Sequence, residues 1–218
     1  MIRHTLSETL RALENDIQAM GDLVGRATVD GVHALVLRDV ALADAVLERE
    51  GEVNRLWVGI EQQVQELMAL QAPVASDLRE VLAVLAIATD LERSGDHAKS
   101  IARGAYESDS SAPAGALVTL ERMAEAAQQL LRDVLAAFAH RDHEAARSAT
   151  SRDADIDGLY QAAQRDLLAH MARNADGIVE AQRILNAALR LERIGDHATN
   201  IGERVVFLAT GEHVELNS

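Results

Sequence analysis

One segment of the chain is written twice. Asp90-Leu-Glu-Arg-Ser-Gly-Asp-His-Ala-Lys-Ser-Ile101 returns as Arg190-Leu-Glu-Arg-Ile-Gly-Asp-His-Ala-Thr-Asn-Ile201, an offset of 100 residues. Earlier in each half the offset is 103: Arg38-Asp39 matches Arg141-Asp142, Val53-Asn54-Arg55-Leu56-Trp57 matches Ile156-Asp157-Gly158-Leu159-Tyr160, Met20 matches Met123 and Leu35 matches Phe138. The first half therefore carries extra residues between Trp57 and Asp90, where Pro73 marks a longer turn. A register shared over most of both halves is the signature of an internal duplication, and whatever the first half folds into the second must fold into as well.

The repeated unit reads as helical. Leu6, Leu10, Leu13, Ile17 and Met20 recur at three- and four-residue intervals, the spacing of one helix face. Thr5-Leu-Ser-Glu8 has the form of a capping box at the start of that helix. Gly25 and Gly31 weaken its later turns. A second helix is expected from Arg38 or Asp39 to about Leu70, and a third from Pro73, placed in its first turn, to Tyr106. The second half repeats the plan over 114–140, 142–173 and 176–210, with Asn174-Ala-Asp-Gly177 as a turn. Long helices joined by short turns pack antiparallel. The predicted fold is all-α, two tandem pseudo-repeated antiparallel three-helix bundles, the first over residues 1–108 and the second over 113–212. The small, polar Ser108–Gly115 segment divides them, with Asp109-Ser-Ser as a solvated turn.

Composition agrees. The chain is 48% hydrophobic but 2% aromatic, so its core is aliphatic, and Trp57 and Tyr160 are expected to be part of it. A β-sandwich or barrel would draw more on aromatic residues. With two prolines the chain suits long helices. The formal net charge of −14 disfavours nucleic acid and anionic lipid as partners and suits cations or basic protein surfaces. The absence of cysteine excludes disulfides and thiolate metal sites. Met1 to Thr5 lacks the apolar run of a signal peptide, and Val81 to Thr89, bracketed by charges, falls well short of the ~20 residues that span a bilayer. A cytoplasmic location is expected.

Candidate chemistry lies in the repeated segment. Glu92 and Asp96 are four residues apart and share a helix face, as do Glu192 and Asp196. Each pair continues a face that is apolar one or two turns earlier, at Leu78 and Leu85 or at Leu185 and Leu189. On the preceding helix of each half, Glu50 and Asn54 correspond to Asp153 and Asp157. Partly buried carboxylates need protons, arginines or a cation. Two readings fit the spacing equally: oxygen ligation of Mg²⁺, Mn²⁺, Zn²⁺ or Fe, or a network in which Arg93, Arg193, Arg79 or Arg183 neutralises the acids. His97 and His197 follow the acids but point about 100° away. Asn200 is a further ligand or a surface residue. Gly95 and Gly195 cost helix stability and permit close helix contact. No Gly-x-Ser-x-Gly, Walker-type phosphate loop or His-Glu-x-x-His is present, so no enzymatic activity is expected. The Glu-x-x-His of di-iron bundles is missing too.

Leu91-Glu-Arg-Ser-Gly-Asp-His, Leu191-Glu-Arg-Ile-Gly-Asp-His and Ala69-Leu-Gln-Ala-Pro-Val-Ala-Ser-Asp-Leu-Arg79 resemble the paired signatures and the helix-three turn of the PhoU family, over nearly the whole chain. The resemblance implies a non-enzymatic cytoplasmic adaptor. Such an adaptor links the ATPase subunit of the phosphate ABC transporter to the phosphate-sensing histidine kinase, represses the phosphate-starvation response and restrains uptake. It would reach the membrane only through partners, with a homodimer left open. It also implies metal sites at Glu/Asp-x-x-x-Asp motifs, here Glu92, Asp96, Glu192 and Asp196 with Glu50, Asn54, Asp153 and Asp157 alongside. Ser94 and Lys99 depart from the family pattern, and Lys99 brings a positive charge to the first site. The second site is therefore expected to bind cations more strongly. The alternative is a metal-carboxylate storage or redox protein.

Overall fold

The computed structural model describes residues 2–108, 112–212 and 214–216, with side chains from residue 6 onward. Among them the regular structure is entirely helical: α1 (Ile2–Leu37), α2 (Val40–Gln71), α3 (Ser76–Ala102) with a 3₁₀ turn at Arg103–Tyr106, α4 (Ala114–His140), α5 (His143–Thr150), α6 (Asp153–Arg173), a 3₁₀ turn at Ala175–Gly177, and α7 (Ile178–Thr210). No helix among the described residues is long and apolar enough to cross a membrane.

The duplication extends to individual hydrogen bonds. α1 ends at Arg38 and α4 at Arg141, both left-handed, with φ of 56° and 55°. The next residue folds back in each case, Asp39 N–H donating to the Ala34 carbonyl at 2.9 Å and Asp142 N–H to that of Ala137 at 2.9 Å. The same aspartates cap the following helices, accepting from Leu42 N–H at 3.0 Å and Ala145 N–H at 2.9 Å. A left-handed non-glycine residue costs on the order of 1 kcal/mol, and the side-chain cap returns about as much.

The two bundles share one apolar core. α1 packs on α2, α3 and α4, and α7 on α3, α4, α5 and α6. Leu13, Ile17, Met20, Ile87 and Leu91 join Leu120, Met123, Leu131, Ile184 and Ile201 in a single cluster. Equivalent residues meet where the copies cross. Gln128 Nε2 donates to the Gly25 carbonyl at 2.9 Å, across the repeat offset of 103. The rings of His97 and His197 stack with centroids 5.7 Å apart. Residues touch their own equivalents only near the operator relating the copies, so these contacts place a local twofold between α1 and α4 and between α3 and α7.

Several expectations need correction. α1 begins at Ile2, ahead of the proposed cap at Thr5, and continues through Gly25 and Gly31 to Leu37. Burial outweighs propensity there: a carbon added at Gly31 would lie 2.9 Å from the Ala98 carbonyl oxygen, so the glycine lets α3 approach α1. Pro73 precedes α3 instead of opening it. A residue before proline is disfavoured in the helical region, so α2 stops at Gln71 with Ala72 left-handed. The helix expected over 142–173 is broken at Ser151 and Arg152. Thr150 Oγ1 and Ser151 Oγ donate to the carbonyls of Arg147 and Ser148, competing with the helical ladder. The other boundary differences are of one to four residues, as fraying and 3₁₀ ends produce. Trp57 and Tyr160 sit at the edge of the core, half-buried. Asp109, Ser110 and Ser111 lie outside the described residues.

Candidate functional site

Each copy gathers its acids between its last helix and the one before. In the first, Glu50 is buried on α2, while Glu92 and Asp96 project from α3. Burial raises the Glu92 carboxyl above its ordinary range, with repulsion from Asp96 and Glu50 adding to the rise and Arg93 and Lys99 opposing it. This cluster contains its own cation. Lys99 Nζ lies 2.8 Å from Glu50 Oε1 and 3.3 Å from Asp96 Oδ1, and Asn54 Nδ2 donates to the same Glu50 oxygen at 2.6 Å. The ammonium and the amide thus occupy the directions from which Glu50 could otherwise bind an ion.

The second copy has Thr199 at the position of Lys99 and Asp157 at that of Asn54. Four carboxylates, Asp153, Asp157, Glu192 and Asp196, influence one another with no lysine among them. Asp153 is held in place by the break that the sequence did not disclose, since α6 begins at this residue. It is 5% exposed, and neither carboxylate oxygen meets hydrogen-bond geometry with a partner, although the Thr199 hydroxyl, itself unpartnered, stands near enough to act on it. Burial pushes its carboxyl up to about 6, Thr199 opposes the rise, and Asp157 and Asp196 add to it. Burial also raises Asp157, with Asp196 adding, and raises Glu192, with Asp196 and Asp157 adding and Arg193 opposing.

Gly195 makes this arrangement possible. A carbon added there would stand 2.6 Å from Asp153 Oδ1, so glycine lets the carboxylate lie against α7. Its equivalent, Gly95, faces Val53 at 3.3 Å. The position does the same packing work in both copies and admits a carboxylate in only one. Glu192, Asp196, His197 and Asn200 line a cleft of about 480 Å³ beside Leu189 and Arg193. Arg193 forms no ion pair among the described residues, and Arg183 is engaged elsewhere, with Glu180 and Glu107. Arg93 and Arg193 act on Glu92 and Glu192 through charge, and at the first cluster Lys99 pairs with Glu50 and Asp96. No three His, Asp or Glu side chains among the described residues stand close enough to hold a metal ion as they are placed.

Between the clusters, His197 Nδ1 lies 2.9 Å from Asp90 Oδ1, with Asn200 Nδ2 at 3.5 Å from the same oxygen. The twofold-related position of Asp90 is Arg190, a positive charge near His97. Burial, then His197, Arg190 and Arg193 push the His97 imidazole down to about 4. The sequence displayed the Asp90/Arg190 difference within the repeat, but only the crossing of α3 and α7 gives it an effect.

Fold and site together define a class: a duplicated three-helix bundle with one acidic cluster per copy, set on the inner helices beside a shared core. The PhoU domain family model matches residues 17–105 and 120–205, and the chain belongs to the PhoU family. It is 38% identical over 218 residues to the phosphate-specific transport system accessory protein PhoU homolog of Caulobacter vibrioides (strain NA1000 / CB15N), covering 98% of this chain and 95% of the relative. The crystal structure of PhoU from Pseudomonas aeruginosa superposes with a TM-score of 0.88 at 34% identity, over 94% of this chain and 99% of that one. The phosphate transport system regulatory protein PhoU from Streptococcus pneumoniae gives 0.89 at 30% identity, over 96% and 99%.

Proposed function

We propose that the chain is a non-enzymatic regulator of phosphate transport. In this reading it binds the ATPase subunit of a phosphate ABC transporter and a phosphate-sensing histidine kinase, restrains uptake and represses the starvation response when phosphate is plentiful. The observation that carries it is near-full-length similarity to accessory and regulatory proteins of phosphate transport, with both repeats present. The absence of a phosphate loop or nucleophile motif in the sequence supports an adaptor over a catalyst. The test deletes the gene and reads a starvation-induced phosphatase in high phosphate, then captures partners from phosphate-replete cells with the tagged chain. Derepression on deletion, with recovery of the ATPase subunit and the kinase, supports the reading. Unchanged repression, or capture of neither partner, refutes it.

We propose further that the chain takes one divalent cation, at the second cluster. Asp153, Asp157, Glu192 and Asp196 would supply the oxygens, and the bound charge would relieve their mutual repulsion. The unpartnered carboxylate of Asp153 favours this. The first cluster fits such an ion poorly because Lys99 already neutralises Glu50 and Asp96. Chelator-treated protein titrated with Mn²⁺ or Zn²⁺ should bind one ion, lose it in Asp196→Asn and keep it in Asp96→Asn. Absence of binding, or loss only in Asp96→Asn, would reject the assignment. Oxygen or peroxide consumption by the loaded protein would favour a redox role.

A further inference from the structure

A cleft of about 370 Å³ opens where the end of α3 and its 3₁₀ turn meet the first turns of α7. Arg103, Arg183 and Arg190 line it, with Ser100, Gln182 and Asn186 between them. Buried Leu35, Ile101 and Ala187 line it too, with Gly104, the exposed Val179 and one acid, Glu107. Three guanidinium groups thus share one recess in a chain of net charge −14. Arg183 pairs with Glu180 and, at 3.5 Å, with Glu107. Arg103 and Arg190 form no ion pair among the described residues. The cleft thus holds more positive charge than the protein around it neutralises.

The duplication provides an internal control. At the twofold-related positions Arg103 becomes Glu203, Arg190 becomes Asp90, Arg183 becomes Ala83 and Gln182 becomes Leu82. A packing requirement common to both copies would not demand arginines in one and acids or aliphatics in the other. The backbone is adapted to the same purpose. A carbon added at Gly104 would meet Leu35 Cδ1 at 2.9 Å and Arg183 Cδ at 3.4 Å, so glycine lets the Arg183 stem lie across the 3₁₀ turn. The fork of Arg183 is steadied by Glu180, which is itself buried and also accepts from Ser108 Oγ at 2.5 Å. Gln182 Nε2 donates to Asn186 Oδ1 at 3.1 Å. That bond satisfies the Asn186 carbonyl, and Asn186, which lines the cleft, keeps its amide N–H groups as donors.

We infer that this cleft binds a phosphate-bearing small molecule, its phosphoryl oxygens held by Arg103, Arg190 and Arg183 and by the amides of Asn186 and Gln182. Planar guanidinium groups match phosphate oxygens two at a time, and neutral donors beside them suit an oxyanion better than a halide. The volume exceeds that of a single phosphate and lies in the range of small-molecule sites. A ligand with linked phosphoryl groups therefore fills it better than inorganic phosphate does. The inference stands on the cleft alone and holds whether or not the acidic clusters take a cation.

The test is calorimetric titration of the full chain in EDTA with inorganic phosphate, pyrophosphate, ATP and, as a control for charge alone, sulfate. Pyrophosphate or ATP should bind more tightly than phosphate, and sulfate least. Arg103→Gln and Arg190→Gln should each weaken binding by about tenfold, the size expected for one charge-assisted contact. Asp196→Asn, outside the cleft lining, should not weaken it. Equal affinity for pyrophosphate and ATP assigns recognition to the phosphoryl groups; a preference for ATP adds a contact to the nucleoside. Saturation by none of the probes at 10-millimolar order overturns the inference, as does binding that survives the Arg103→Gln/Arg190→Gln double variant. Both substituted positions are on the cleft wall and not in the apolar core, and an unaltered helical circular dichroism spectrum shows that the fold is intact.

Discussion

Asp153→Asn should stabilise the metal-free protein at neutral pH. The native carboxylate is buried, lacks a hydrogen-bond partner, and is pushed up from 3.8 to about 6. The folded chain therefore holds the proton more tightly than the unfolded chain does. Stability contributed by the protonated form is present below about 4 and is lost as pH rises through 6. A displacement of about two pH units corresponds to about 3 kcal/mol. Relaxation and water near the cleft reduce this to about 1–2 kcal/mol. For a chain of this size that is a rise in Tm of about 3–6 °C. The assay is thermal unfolding of wild type and Asp153→Asn in EDTA at pH 8 and pH 4. The variant should melt higher at pH 8, and the two proteins should converge at pH 4. A lower Tm for the variant at pH 8 would show that the carboxylate is satisfied in the folded state. An equal increment at both pH values would show that its charge is not the cause. With the proposed cation site, saturating Mn²⁺ should reverse the order, because the variant gives up a ligand.

Lys99→Thr, which gives the first copy the residue of the second, should destabilise the metal-free chain and raise Mn²⁺ stoichiometry from one ion to two, read by titration after chelation. His97 is pushed below its ordinary 6.5 to about 4, so the unfolded chain takes up this proton first. The stability it contributes is present above 6.5 and lost as pH falls toward 4; His97→Gln should lessen acid destabilisation in that window in urea titrations. Arg141 on the α4–α5 turn reaches Glu14 on α1 at 3.1 Å and the buried Glu80 on α3. Arg141→Ala leaves Glu80 without this partner and should cost about 1–2 kcal/mol after discounting for the exposure of the guanidinium, with a smaller loss in Arg141→Lys, both measured by urea unfolding.

The parts of this structure that were legible in the sequence are those fixed by local spacing. Leu13, Ile17 and Met20 recur with the helical period, and all three are fully buried on α1. Glu192 and Asp196 share a face because they are four apart on one helix, and their common face meets Asp157 of α6. What escaped the sequence depends on competition or on long-range geometry. The break at Ser151 arises from hydroxyl groups competing for carbonyls, a weak local preference that the apolar pattern hides. Lys99 was visible as a charge near the first cluster, but its reach to Glu50 on α2 depends on how α2 and α3 cross. The arginine cleft left no motif, because Arg103 and Arg190 meet only where α3 packs on α7.

Duplication alone would have produced a symmetric molecule with two like sites. Few substitutions were needed to make the sites different in kind. Lys99 against Thr199 and Asn54 against Asp157 close one acidic cluster with an internal ammonium and leave the other with four carboxylates. Arg190 against Asp90 and Arg103 against Glu203 put positive charge on one side of the twofold and negative on the other. Lys99, Thr199, Asp90, Arg190 and Glu203 lie on α3 and α7, and Arg103 on the turn that ends α3, where the copies touch through His97 and His197, while Asn54 and Asp157 lie on α2 and α6. Charge changes there are shared by both copies, whereas the same substitutions on an outer face would be screened within about 10 Å. An anion in the arginine cleft and a cation among the second-copy acids would both contact α7, at Arg190 and at Glu192. Their charges are opposite and only half a helical turn apart in sequence, so each bound ion lowers the electrostatic cost of the other. The two ligands should therefore bind with positive coupling through α7, with the first copy contributing Arg103 to the anion site and, its own acids closed by Lys99, no ligand to the cation site.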